Sequence, residues 1–176
     1  MPSDLFNRTV DLDLIYPPYL ERLLELKARC AKQGVRYLTT YGFRTCEASD
    51  MMHKAFLAGG PRAAPGGFSS HNFGLASDEA MIVKDRPQRV VTWGSKDKPV
   101  FNLLGAEAGK LGLHWGKNYS DEPHISWPGF VTGAELAPLR KIWQDNPGLL
   151  VLPRLRLCWA YVDAHHPLPP FTPSRP

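Results

Sequence analysis

A carboxylate in the middle of a strand constrains this chain most. Residues 74–83, GLASDEAMIV, read as a β-strand, and alternation sets Ala76, Asp78 and Ala80 on one face. A buried strand face disfavours an unpaired ionised carboxylate, so the fold has to bring Asp78 a compensating group. His71 stands seven residues earlier in SSHNFGLASD. Gly74 lets the chain turn between the two, and Ala76 and Ala80 leave room beside Asp78.

The rest of the pattern mixes helices and strands without regular alternation. PPYLERLLELKARCAKQG (17–34) predicts a helix, with prolines in its first turn and a glycine stop. VRYLTTYGF (35–43) predicts a strand, and CEASDMMHKAFLAGG (46–60) a second helix ended by glycines. VVTW (90–93) and HISW (124–127) are short strand candidates on either side of a helix over 99–112. GAELAPLRKIWQ (133–144) predicts a short final helix, interrupted by Pro138 unless that residue falls in the first turn. These elements predict an α+β domain with a mainly antiparallel sheet flanked by helices. The expected division is a catalytic domain over 1–150 and a Pro-rich, partly disordered extension over 151–176, of which HHPLPPFTPSRP (165–176) reads as an extended or disordered tail.

Composition narrows the function classes. The 176 residues, 43% hydrophobic and 22% charged, suit one globular domain. No apolar run is long enough for a membrane span. The first 20 residues lack a basic start followed by an apolar stretch, so the expected location is the cytoplasm until release. Three cysteines, Cys30, Cys46 and Cys158, form neither a disulfide framework nor a zinc knuckle. The net charge of +4 is scattered, which argues against nucleic acid as the partner.

Candidate metal ligands fall in two clusters: His71 with Asp78, and Asp121, Glu122 and His124 in SDEPHISW. Two imidazoles and one carboxylate are a three-ligand zinc shell that leaves a fourth position for water. On spacing alone, a turn histidine beside a hydrogen-bonded aspartate explains His71 and Asp78 equally well.

SSHNFGLASD resembles the S-x-H-x-x-G-x-A-x-D motif of the zinc D,D-carboxypeptidase and L-alanyl-D-glutamate endopeptidase family, and DEPH resembles its second signature, D-x-P-H. GLHWG, leading to DEPH, and YGFRT, after the first helix, are similar to further segments of that family. The order agrees over roughly residues 17–140, and compact phage endolysins are the nearest subgroup in pattern. A serine, Ser49, stands where the family often has glutamine.

The resemblance implies a hedgehog/D,D-peptidase-like fold and Zn²⁺ held by His71, Asp78 and His124. It also implies bacterial peptidoglycan as substrate, and a monomer is expected. It places the general base and acid at Asp121. Bare strand alternation would instead favour Glu122, which shares a face with His124 if the strand extends that far. Arg44 is the candidate for holding a substrate carbonyl or developing oxyanion, and Ser69 for a substrate carboxylate. His53, His114, His165 and His166 read as packing or surface residues, and Trp115, Trp127 and Trp143 as core. The expected activity is an L-alanyl-D-glutamate endopeptidase. Rival readings are a D-alanyl-D-alanine carboxypeptidase, a non-catalytic peptidoglycan-binding module and a metal-dependent nuclease.

Overall fold

A computed structural model describes residues 5–83, 86–88 and 98–173. Helix α1 (Pro17–Lys32) starts on its two prolines and ends before Gly34, whose φ of +83° only glycine adopts readily. Strand β1 (Tyr37–Tyr41) follows, then helix α2 (Cys46–Leu57), whose N-terminus is capped by the Thr45 side chain accepting from the Ala48 amide at 3.1 Å. Strand β2 (Ala76–Val83) carries Asp78 and is the centre of the sheet. Then come β3 (Arg86–Gln88), α3 (Lys98–Lys110), β4 (His114–Trp115), β5 (His124–Ser126) and α4 (Ala137–Asp145). The VVTW candidate lies outside the described residues.

Every pairing between these strands is antiparallel, with the order β1-β2-β5-β4 and β3 on the far end of β2, and an isolated bridge from Phe6 to Thr39 of β1 is parallel. The chain is α+β, as its pattern predicts. Pro138 falls in the first turn of α4, where a missing amide donor is tolerated, so that helix is not broken.

Residues 151–165 depart from the expectation that the helix over 133–144 is the final one, whereas 167–173 carry no helix or strand. Residues Val151–His165 form a further helix, α5, so α4 is not the last. Pro153 lies in its first turn and leaves the helix intact. Leu155, Cys158, Trp159 and Val162 of α5 are buried in the same apolar cluster as Leu23, Leu26 and Phe73. The Trp159 indole donates to the Phe73 carbonyl at 2.8 Å, so α5 braces the segment that carries His71. Among the described residues no helix is long and apolar enough to cross a membrane.

Candidate metal centre

Three segments meet at one point. The first is a 3-10 turn, Ser70–Phe73, which presents His71 and ends on Gly74 at φ +66°. A Cβ on Gly74 would lie 2.2 Å from the Leu14 carbonyl oxygen, so both the turn and the packing demand glycine here. The second is β2 with Asp78. The third is β5, whose first residue, His124, pairs directly across from Asp78.

The ligand-type atoms of these residues converge. His71 Nε2 is 3.2 Å from His124 Nδ1 and 3.3 Å from Asp78 Oδ1, and His124 Nδ1 is 3.2 Å from the same oxygen. His71 and His124 are buried, and the Asp78 side chain keeps 15% exposure, which leaves one open side. The Gly42 carbonyl lies 2.7 Å from His71 Nδ1. A carbonyl only accepts, so Nδ1 carries the proton and Nε2 turns its lone pair inward.

Two ring nitrogens and a carboxylate oxygen drawn this close form a donor set of the kind that holds a metal ion. Burial by itself would raise the Asp78 pKa, but His71 and His124 outweigh it and hold the carboxyl well below the ordinary range. Zinc ligands at about 2.0–2.2 Å and tetrahedral angles stand about 3.3–3.6 Å apart. The observed triangle of 3.2–3.3 Å therefore needs only a slight expansion to take a zinc ion. Among the described residues this is the group of histidine, cysteine and acidic side chains able to hold a metal.

Asp121 and Glu122 occupy a turn, not a strand. The His124 amide donates to the Asp121 carbonyl at 3.0 Å, and the Asp121 amide to the Gly116 carbonyl at 3.1 Å. Since β5 begins at His124, strand alternation does not extend to Glu122 and gives no reason to favour it. The Glu122 carbonyl accepts from the Trp115 indole at 2.8 Å, which anchors the turn to β4. The Asp121 side chain is exposed.

Arg44 and Ser69 flank the same turn. The Arg44 amide donates to the His71 carbonyl at 3.0 Å, while its guanidinium reaches the Met52 sulfur on α2 at 2.8 Å. Ser69 is half-buried at the start of the His71 turn, and its side chain does not cap it.

Among the described residues the other histidines are not members of the metal-holding cluster. His53 Nδ1 contacts the Ala63 carbonyl at 2.8 Å, and His165 stacks on Tyr161 at 4.0 Å. His166 packs on Phe130 at 4.6 Å. His114 sits half-buried on β4, its pKa lowered by burial and then by His124. Trp127 is buried, whereas Trp115 and Trp143 are half-buried.

One residue at the site escaped sequence reasoning. Asn72 is fully buried, and its amide nitrogen donates to the carbonyls of Arg44 (2.8 Å) and Thr45 (3.2 Å) and to Ser49 Oγ (2.8 Å). Its oxygen accepts from the Gly67 amide at 3.0 Å. It ties the His71 turn to the Arg44 loop and to α2. The only sequence signal was its place beside His71, and a motif column does not reveal such a hub.

A curated relative decides the family. Peptidoglycan L-alanyl-D-glutamate endopeptidase CwlK of Bacillus subtilis (strain 168) is 31% identical over 137 residues, covering 71% of this chain and 74% of that protein. The chain belongs to the zinc D,D-carboxypeptidase and L-alanyl-D-glutamate endopeptidase family. A scan against protein-family models finds no match. Two solved structures are similar at 16% identity and a TM-score of 0.49. One is a variant of the vancomycin-resistance D,D-pentapeptidase VanY in complex with Zn(II), covering 80% of this chain and 83% of that one. The other is VanYB in complex with D-alanine-D-alanine, covering 81% of this chain and 82% of that one.

Proposed function

We propose that this zinc-dependent peptidoglycan peptidase cuts the stem peptide at the L-alanyl-D-glutamate bond, with zinc held by His71, Asp78 and His124. The observation that carries the metal assignment is the convergence of Nε2, Oδ1 and Nδ1 at 3.2–3.3 Å with one side open. Membership of the family carries the substrate class, and similarity to CwlK supports the choice of bond.

Bound zinc supplies Lewis acidity, polarising a carbonyl and bringing the pKa of a water down to about 7. The chain supplies the rest. His71 is held in one tautomer by Gly42, so it offers a lone pair without reorganisation. Asp121, three residues from His124 on a closed turn, takes the proton of the attacking water and returns it to the leaving amine. Arg44, anchored beside His71 through its backbone, holds the oxygen that becomes negative as the carbonyl is attacked. Ser69 hydrogen-bonds a carboxylate of the substrate.

The test is digestion of purified peptidoglycan with and without a chelator, followed by mass spectrometry of the fragments. New amino-terminal D-glutamate that disappears with chelator is the expected result. Free D-alanine as the sole product would move the protein to the carboxypeptidase branch. Binding without any product would make it a non-catalytic module.

A further inference from the structure

The reverse face of β2 holds a second carboxylate. Glu79 is 1% exposed, and Lys27 of α1, 2% exposed, approaches it at 2.5 Å. Its other oxygen accepts from Thr39 Oγ1 at 2.9 Å and from Ser77 Oγ at 2.8 Å. Lys27 also donates to the Tyr37 carbonyl at 3.1 Å. Tyr19, fully buried, contacts Ser77 Oγ at 2.7 Å and donates to the Ile125 carbonyl at 2.8 Å. The Glu79 amide donates to the Pro123 carbonyl at 3.0 Å. The cluster thus joins α1, β1, β2 and β5, and it grips the residues next to Asp78 and on both sides of His124.

Such a cluster is a poor source of net stability. Taking two charges out of water offsets most of their attraction, and apolar residues of similar volume often do as well or better. Strand position is where it has an effect. β2 and β5 share only three register pairs, ending at Asp78 opposite His124. Beside Asp78 the β1 register breaks, from Thr39 opposite Glu79 to Tyr41 opposite Asp78, with Thr40 the extra residue. A one-residue slip would turn Asp78 to the wrong face. Thr39 and Glu79, the last pair before that break, are the two that the cluster bonds together.

We propose that the Lys27–Glu79 cluster is a positioning device for the metal centre: it fixes β2 against β1 and β5 so that Asp78 and His124 already stand at ligand spacing in the metal-free protein. The inference rests on the zinc reading of the site. Lys27 and Glu79 touch neither metal nor substrate and act through Asp78 and His124.

The test is zinc affinity, measured by competition with a chromophoric chelator, set beside thermal unfolding of the metal-free protein. The double variant Lys27→Met/Glu79→Gln keeps the volume and removes both charges. It should unfold at the wild-type temperature or above, yet bind zinc at least tenfold more weakly. Folded protein with zinc affinity within twofold of wild type would overturn the proposal. Should the double variant not fold, Ser77→Ala decides, since it deletes one bond to Glu79 and the link to Tyr19. Threefold or greater weakening is expected, and unchanged affinity overturns the proposal. A wild-type protein that fails to bind zinc would instead sink the reading of the metal centre.

Discussion

Asp78 and Glu79 are neighbours on one strand, yet their surroundings are opposite. Glu79 has its counter-charge inside the protein, in Lys27 at 2.5 Å, and two hydroxyl donors. Asp78 faces two imidazoles, and the side chain stays partly open at 15% exposure. The first carboxylate is closed and structural. The second stands in a group of side chains able to hold a metal ion and keeps part of its surface exposed. The pair teaches that burial of an acid does not itself mark a functional site. What separates the two is the kind of group set against each acid: an ammonium and two hydroxyls for Glu79, and two imidazoles of metal-ligand type for Asp78.

The largest effect should come from breaking the open side. Asp78→Asn, or chelation of the wild type, should reduce peptidoglycan hydrolysis to background, and zinc should restore only the wild type. Metal analysis should find Asp78→Asn depleted of zinc, and full occupancy with normal activity would remove Asp78 from the ligand set. Asp121→Asn should keep zinc but lower turnover by roughly 10² to 10⁴, the range of a lost general acid–base. Glu122→Gln is the control, expected to stay within about tenfold of wild type, a barrier change of no more than about 1.4 kcal/mol. A reversal of the two would reassign the base.

On the closed side the expected damage is to stability. Lys27→Met alone leaves Glu79 buried without its partner, which should destabilise the fold by about 3–5 kcal/mol in denaturant unfolding. A loss below about 1 kcal/mol would mean that Lys27 is not what compensates Glu79 in the folded protein. Gly74→Ala should destabilise by about 1–3 kcal/mol through the left-handed backbone and the contact with Leu14. It should also weaken zinc binding, since the His71 turn must shift. The smallest change belongs to neither face: Lys141→Ala removes an exposed 2.9 Å pair with Asp145 on α4 and should shift stability by no more than about 0.5 kcal/mol.

Much of the open side was legible in the chain itself. His71, Gly74, Ala76 and Asp78 fall within one short segment, and Asp121, Pro123 and His124 within another. Their spacing is a local property, written by a turn, a strand and the chemistry of ligands, so a linear reading captures it. The glycine and proline stops of α1 were legible for the same reason. Helix α5 was not. Its prolines and weak apolar rhythm suggested a tail, whereas its buried side chains find their partners on α4 and on the segment around Phe73.

What the sequence determined by itself is the set of groups able to hold a metal and the residue types around them. Which of two adjacent acids would face that metal, and which would be neutralised inside the protein, was decided only by the tertiary structure. The Glu79 counter-charge lies 52 residues away on α1, and its hydroxyl donors come from β1 and β2. A carboxylate's state depends on what lies within a few ångströms of it in space, and no spacing along the chain encodes that distance.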